Sequence, residues 1–138
     1  MNMNIGIDSV DIDRFSQFGK YAPRQLRRVY STDEIAHCLA IPKKSAERFA
    51  ARFAYKEALY KALTHRQGRP PCTLFSFFTH VSLSRDAIPR PIIDWGALGL
   101  LPQKIILSFT HTKHAATAVI IVYGERMGDL TAPEIGLY

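Results

Sequence analysis

The chain has 138 residues, of which 47% are hydrophobic and 22% are charged, and its formal net charge is +6. This length and composition suit one globular domain with one core. No stretch approaches the roughly 20 apolar residues that span a bilayer, and the first residues lack a secretory signal pattern, so we expect a cytoplasmic protein with no membrane partner.

The chain begins with signals for one strand and two helices. Residues 5–12 form a β-branched apolar run that is typical of a strand. Pro23 suits the first turn of a short basic helix. Ser31 and Glu34 have the spacing of a capping box, which predicts a second helix that begins after Ser31 and stops before Pro42.

The longest helical signal covers residues 45–63, which contain no Gly or Pro and are rich in Ala. On a helical wheel, Phe49, Phe53 and several alanines share one apolar arc, and Glu57 falls inside that arc. A basic stripe at i, i+4 spacing borders the arc and consists of Arg48, Arg52 and Lys56.

Strand signals dominate the sequence after Gly68. Four segments are candidate strands: 74–83, 91–93, 105–110 and 115–123. The last two are joined by a short polar connection and predict an antiparallel hairpin. We therefore expect an α+β fold with a small antiparallel sheet packed against the long helix. Residues 1–123 should form the single domain, and residues 124–138 an irregular tail.

Two carboxylates occupy positions where carboxylates are unfavourable. Asp8 lies inside an apolar strand, and Glu57 lies in the apolar arc of a helix. A structural ion pair with Lys61 would explain Glu57, and a turn or a backbone cap would explain Asp8. Alternatively, the two carboxylates hold Mg²⁺, which takes few protein carboxylates and completes its shell with water and substrate phosphates. Arg52, Lys56 and Lys61 would suit those phosphates, although basic residues on a helix are usually solvated.

Polar side chains gather where residues 105–110 enter a turn, which is a frequent place for functional groups. They are Ser108, Thr110, His111 and Thr112. A histidine in a polar loop is usually structural or solvated, and the alternative is a contact with a phosphate oxygen.

Charge is unevenly distributed along the chain. Residues 14–69 contain 13 of the 18 Lys and Arg and four of the 12 Asp and Glu, so that this segment carries +9 and the rest carries −3. Such asymmetry indicates an anionic partner, although a solvated basic face has the same composition. Cys38 and Cys72 have no metal-binding spacing and are expected to be free thiols.

Three segments together resemble a known family. Residues 6–15 (GIDSVDIDRF), 52–63 (RFAYKEALYKAL) and 108–113 (SFTHTK) resemble, in order and spacing, the three motifs of holo-(acyl-carrier-protein) synthases, which are small trimeric 4′-phosphopantetheinyl transferases. The second segment is the most specific of the three. The resemblance covers residues 5–123. One departure is that Thr64, His65, Arg66 and Gln67 precede Gly68, where the family usually has glycines directly after the second motif.

The resemblance implies a reaction and the residues that carry it out. The chain would transfer 4′-phosphopantetheine from coenzyme A, its substrate, to a serine of apo acyl carrier protein, and release 3′,5′-ADP. Asp8 and Glu57 would hold the cofactor Mg²⁺ against the coenzyme A pyrophosphate. Lys61 would contact that pyrophosphate and protonate the departing 3′,5′-ADP, and His111 would complete the catalytic set. The general base is left open between Glu57, acting through a water, and Asp8.

The resemblance also implies binding surfaces and an assembly. Residues implied in nucleotide binding are Lys43, Lys44, Arg52, Lys61, Ser108, His111 and Thr112. His111 and Thr112 would come from a neighbouring subunit, because such enzymes are homotrimers with sites at their interfaces. The acidic helix of the carrier protein would bind Arg14, Arg24 and Arg28.

Two other functions are consistent with parts of the sequence. A basic nucleic-acid-binding module would explain the charge of residues 14–69 but would leave Asp8 and Glu57 unexplained. A non-catalytic homologue that binds coenzyme A without turnover is the second, and the three intact motifs argue against it. Salt-dependent DNA binding would identify the first, and the absence of transfer would identify the second.

Overall fold

A computed structural model of the chain describes residues 3–124, in which one long helix lies across a small antiparallel sheet. The elements are β1 (Met3–Asp11), α1 (Pro23–Leu26), α2 (Thr32–Leu39), α3 (Ser45–Gln67), α4 (Leu74–Phe78), β2 (Val81–Leu83), β3 (Pro91–Ile93), α5 (Trp95–Leu98), β4 (Lys104–His111) and β5 (Ala115–Tyr123). Short 3₁₀ turns occupy Ile12–Phe15, Phe18–Lys20 and Pro42–Lys44. The predicted α+β class is confirmed. Apart from Gly124, the predicted tail lies outside the described residues.

The main sheet has the strand order β1-β5-β4, and both of its pairings are antiparallel. β5 is central, and its alternate residues are buried against α3. In one row of the register, Asp8 on β1 faces Ala118 on β5, which faces Phe109 on β4. The predicted β4–β5 hairpin is confirmed, and its turn is fixed by Thr112, whose Oγ1 accepts hydrogen bonds from the amides of His114 and Ala115. β2 and β3 form a separate two-stranded sheet.

β1 and α3 approach each other closely at Gly6. A Cβ atom on Gly6 would overlap the carbonyl oxygen of Ala58 on α3. Side chains alternate along a strand, so Asp8, two residues further on, lies on the same helix-facing side as Gly6. The absence of a side chain at position 6 therefore lets the Asp8 carboxylate reach α3.

The ends of α2 and α3 follow local signals. The Ser31 hydroxyl accepts from the Glu34 amide at 3.1 Å, and the Glu34 carboxylate accepts from the Ser31 amide at 2.9 Å, which confirms the capping box. α3 continues one turn beyond its predicted end and stops at Gly68, whose φ of 75° is left-handed. The extra turn contains Arg66, which is buried and donates to the Gln103 side chain at 2.7 Å.

The prediction of a strand over residues 74–83 is wrong for its first half. The Thr73 hydroxyl accepts from the Ser76 amide at 3.4 Å and caps a short helix, Leu74–Phe78. This helix buries two consecutive aromatic rings, which a strand would have pointed to opposite faces. Strand structure is limited to Val81–Leu83.

Two further expectations concern the chain as a whole. Within residues 3–124, no helix has the length and apolar character needed to cross a membrane. Cys38 is buried and Cys72 is half-buried, and both are free thiols, as predicted.

Candidate active site

The structure brings together Asp8, Glu57 and Lys61, at the place where β1 crosses α3. Lys61 Nζ donates to Asp8 Oδ1 at 2.9 Å and to the Ile7 carbonyl at 3.1 Å. Glu57 lies one helical turn before Lys61, and its carboxyl group is within hydrogen-bonding reach of Asp8. The Asp8 side chain is 10% exposed and that of Lys61 is 49% exposed, so the cluster lies at the surface with its aspartate turned inward.

The electrostatics of this cluster are unbalanced. Asp8 Oδ2 is buried and accepts no hydrogen bond from the described residues. Its neighbour Glu57 is a second acceptor, and a hydrogen bond between two carboxyl groups requires a proton on one of them. Burial, and then the negative charge of Asp8, raise the pKa of Glu57, while Lys61 and Arg14 lower it. A further positive charge beside the two carboxylates, in addition to Lys61 and Arg14, would therefore stabilise the ionised pair.

Asp8 and Glu57 fit a magnesium ion whose other ligands come from water and from the phosphates of a substrate. The described residues contain no cluster of three potential metal ligands, so the protein offers two carboxylates here. Mg²⁺ suits such a pair, because water and phosphate oxygens complete its octahedral shell. The alternative of a structural Glu57–Lys61 ion pair is disfavoured, since Lys61 forms its ion pair with Asp8.

A second group of predicted residues meets at the end of the β4–β5 hairpin. A pocket of about 390 Å³, the hairpin pocket, is lined by Ile12, Lys43, Ala46, Glu47, His111, Thr112 and Lys113. His111 Nε2 lies 3.2 Å from the carboxylate of Glu47 on the first turn of α3. Glu47 precedes Glu57 by ten residues, which is about 15 Å along the helix axis. Within one chain the hairpin pocket and the Asp8 cluster are thus separate.

Lys56, which we expected near substrate phosphates, is buried elsewhere. Its Nζ donates to Glu34 Oε1 at 2.7 Å and to the Val29 carbonyl at 2.5 Å, and its side chain is 0% exposed. Glu34 is also fully buried and accepts from the Leu83 amide at 3.2 Å. The expectation that Lys56 suits substrate phosphates is therefore wrong. Its ammonium group has no exposed surface and is bonded to protein groups, so its role is structural.

Arg52 also lies inside the protein. Its side chain is 6% exposed, and its Nε is 4.0 Å from Glu34 Oε2 and forms no hydrogen bond with the described residues. The basic stripe predicted on α3 is thus largely buried rather than solvated, because Glu34 compensates it from α2. In this structure Arg52 does not line the hairpin pocket.

The remaining predicted residues are exposed. Lys44 lies in the 3₁₀ turn before α3, and Ser108 lies on the face of β4 opposite α3. Arg24 and Arg28 lie on and just after α1. Arg14 lies in the turn after β1 and is near enough to lower the pKa of Glu57, so it borders the Asp8 cluster.

The sequence-based prediction missed two charged residues of the hairpin pocket, Glu47 and Lys113. Lys113 is adjacent to the predicted Thr112 and could have been included by position. No local signal identified Glu47, because a glutamate in the first turn of a helix is favourable for the helix itself. Its contact with His111 depends on the tertiary structure.

Comparison with known proteins identifies the family of the chain. The family described as the 4′-phosphopantetheinyl transferase superfamily matches residues 4–120. The chain is 35% identical over 126 residues to the holo-[acyl-carrier-protein] synthase of Pelodictyon phaeoclathratiforme, which covers 87% of this chain and 98% of that protein. It is 34% identical over 125 residues to the synthase of Geotalea daltonii, which covers 85% of this chain and 94% of that protein.

Solved structures share the fold. An ACPS–CoA complex from Chronobacterium ammoniagenes has a TM-score of 0.78 at 22% identity and covers 91% of this chain and 100% of that one. The Helicobacter pylori holo-[acyl-carrier-protein] synthase, solved in complex with coenzyme A, has a TM-score of 0.64 at 25% identity and covers 86% of this chain and 99% of that one. With the family match over most of its length, the chain belongs to the 4′-phosphopantetheinyl transferase superfamily.

Proposed function

We propose that this chain is a holo-(acyl-carrier-protein) synthase, which transfers 4′-phosphopantetheine from coenzyme A to a serine of an apo acyl carrier protein. The observation that carries the proposal is the pair of carboxylates, Asp8 and Glu57, with one buried oxygen that lacks a donor. Such a pair beside an exposed lysine suits a metal-bound pyrophosphate. Relatives that carry the name of this activity support the same conclusion.

In the proposed reaction, the carrier serine hydroxyl gives its proton to Asp8 or, through a water, to Glu57, and its oxygen forms a bond to the β-phosphorus of coenzyme A. The bond from that phosphorus to the bridging oxygen breaks, and 3′,5′-ADP departs. Mg²⁺, held by Asp8 and Glu57, would neutralise the negative charge that develops on the phosphates. Lys61 is half exposed at the same place, so its ammonium group can contact the pyrophosphate and supply a proton to the departing oxygen.

For the nucleotide, we propose the hairpin pocket as the principal anion site. Lys43, His111 and Thr112 line it, and Lys113 adds a fourth polar group. Lys44 is adjacent to Lys43 and exposed, so it can contribute charge. Arg52 and Ser108 do not line this pocket. We retain both as candidate contacts to the nucleotide: Arg52 would reach it after rotation of its side chain, and Ser108 from another subunit.

We further propose that the chain works as a homotrimer. β1 and β4 are the two edges of the main sheet, so Asp8 and His111 lie on opposite edge strands. A ring of subunits can bring the β4 edge of one chain to the β1 edge of the next. The sheet face turned away from α3 carries an apolar patch, in which four side chains are more than half exposed: Met3, Ile5, Ile7 and Ile106. An exposed apolar patch of this kind marks an interaction surface.

A mixing experiment tests the shared site. Glu57→Gln and His111→Ala chains, each inactive alone, should regain partial activity when they are co-assembled, because some interfaces then combine an intact half from each chain. If confirmed mixed trimers stay inactive, both residues belong to one subunit's site.

The activity itself is tested by mass spectrometry of an apo carrier protein incubated with this chain, Mg²⁺ and coenzyme A. The carrier should gain one phosphopantetheine group on its serine. Binding of coenzyme A without this gain would identify the chain as a non-catalytic homologue. Salt-dependent binding to random DNA, with neither coenzyme A binding nor transfer, would identify it as a nucleic-acid-binding module.

A further inference from the structure

The hairpin pocket contains a carboxylate where an anion is expected to bind. Its cationic or polar side chains include Lys43, His111 and Lys113, and Glu47 lies among them. The Glu47 carboxylate is 3.2 Å from His111 Nε2, so it occupies the position at this nitrogen where a phosphate oxygen would bind. A pocket built for phosphate alone would not need this negative charge.

We propose that Glu47 competes with the nucleotide phosphate for His111, and so weakens the binding of 3′,5′-ADP, the product of the reaction. The inference rests on the proposed function, which supplies the nucleotide. Glu47 is then an internal substitute for phosphate: it holds His111 in the free chain and yields it when the nucleotide binds. Weaker product binding favours release after transfer.

The exposure of the pair makes this exchange possible. The side chains of His111 and Glu47 are 55% and 40% exposed, respectively. Exposed ion pairs contribute about 1 kcal/mol or less, so a phosphate of higher charge can displace the carboxylate. Once displaced, Glu47 stays near the bound phosphate, and two negative charges about 6 Å apart repel each other more strongly the lower the local dielectric constant is. We expect this repulsion to weaken nucleotide binding about three- to tenfold.

Glu47 has a simpler explanation that the test must separate. It lies in the first turn of α3, where a negative charge stabilises a helix. Asp33 lies in the first turn of α2, is exposed and does not line the hairpin pocket, so it offers a matched control. Replacing either residue by its amide removes one charge from a helix start.

The experiment is calorimetric titration of 3′,5′-ADP into the full chain with Mg²⁺ at low salt. Glu47→Gln should tighten binding about three- to tenfold, whereas Asp33→Asn should change it less than about twofold. In a His111→Ala background the effect of Glu47→Gln should fall below about twofold, because the competition acts through His111. The increase in affinity caused by Glu47→Gln should also shrink at about 0.5 M salt.

Each outcome decides one point. Unchanged or weaker binding by Glu47→Gln overturns the inference, and weaker binding would make Glu47 a direct nucleotide contact. If Glu47→Gln still increases the affinity for 3′,5′-ADP in the His111→Ala background, Glu47 does not compete for His111 and the inference is overturned. If the unmodified chain does not bind 3′,5′-ADP at all, the proposed function fails instead, so the two failures are distinguishable.

Discussion

Lys56 and Glu57 are neighbours on α3 but belong to two different kinds of charged cluster. Lys56 points into the protein, where Glu34 and two backbone carbonyls satisfy its ammonium group. Glu57 points toward β1, where another carboxylate, Asp8, lies within hydrogen-bonding reach. Consecutive helical residues diverge by about 100°, so one segment of sequence can serve both clusters.

The difference between the clusters teaches how to separate structural charge from functional charge. The Glu34–Lys56 pair is fully buried and hydrogen-bonded, as buried charges must be to persist in a folded protein. The Asp8–Glu57 pair is left with a buried oxygen that has no donor among the described residues. This missing donor is the reason why we propose the Asp8–Glu57 pair as the site of a cation and its substrate.

The largest effect should come from breaking the buried pair. Lys56→Met leaves the Glu34 carboxylate buried without its ammonium partner, and we expect a loss of about 3–5 kcal/mol in the free energy of unfolding. Lys61→Met is the matched control, because it makes the same substitution on the same helix in an ion pair whose lysine is half exposed. It should cost about 1 kcal/mol or less in stability while it lowers transfer activity.

Urea unfolding of both variants measures this contrast. A Lys56→Met chain that unfolds at the same urea concentration as the unmodified chain would show that the buried pair does not stabilise the fold. A Lys61→Met chain with normal transfer would remove Lys61 from the proposed reaction.

The second effect concerns activity without loss of the fold. Glu57→Gln keeps the shape of the side chain and removes its charge. We expect Mg²⁺-dependent transfer to fall about 100-fold, which corresponds to roughly 2.7 kcal/mol of transition-state stabilisation. Asp8→Asn should behave in the same way. The measurement is the transfer rate at several Mg²⁺ concentrations, with circular dichroism to verify folding.

The opposite pattern would contradict the metal assignment. If Glu57 only supports the structure, its variant should lose stability while the folded fraction keeps its normal rate.

Local signals predicted the elements that depend on nearby residues. The capping box placed α2, the alanine-rich run placed α3, and β-branched runs placed β1 and β5. The helix Trp95–Leu98 was not predicted, although Asp94 caps it through the Ala97 amide at 3.1 Å. Four residues carry too little periodicity to be identified from sequence.

The site was predictable only where a motif marked it. Asp8, Glu57 and Lys61 were identified together, and the structure places them together. The burial of Lys56 was missed, because its partner Glu34 lies 22 positions away and meets it only after α2 packs on α3. Such pairings are set by tertiary structure, which the helical wheel does not contain.

The smallest effects should come from a third kind of charge, the exposed arginines on and after α1. Arg24 and Arg28 are solvent-exposed, unlike either cluster on α3, so they can act mainly by steering an acidic partner. Reversal to glutamate at either position should raise the apparent KM for carrier protein severalfold and leave that for coenzyme A nearly unchanged. The effect should shrink at about 0.5 M salt, where the screening length is roughly 4 Å.

Arg69→Glu, an equal change of charge in the loop after α3, serves as the control. Unchanged carrier-protein kinetics at low salt would make the basic surface a feature of solubility and place the docking site elsewhere.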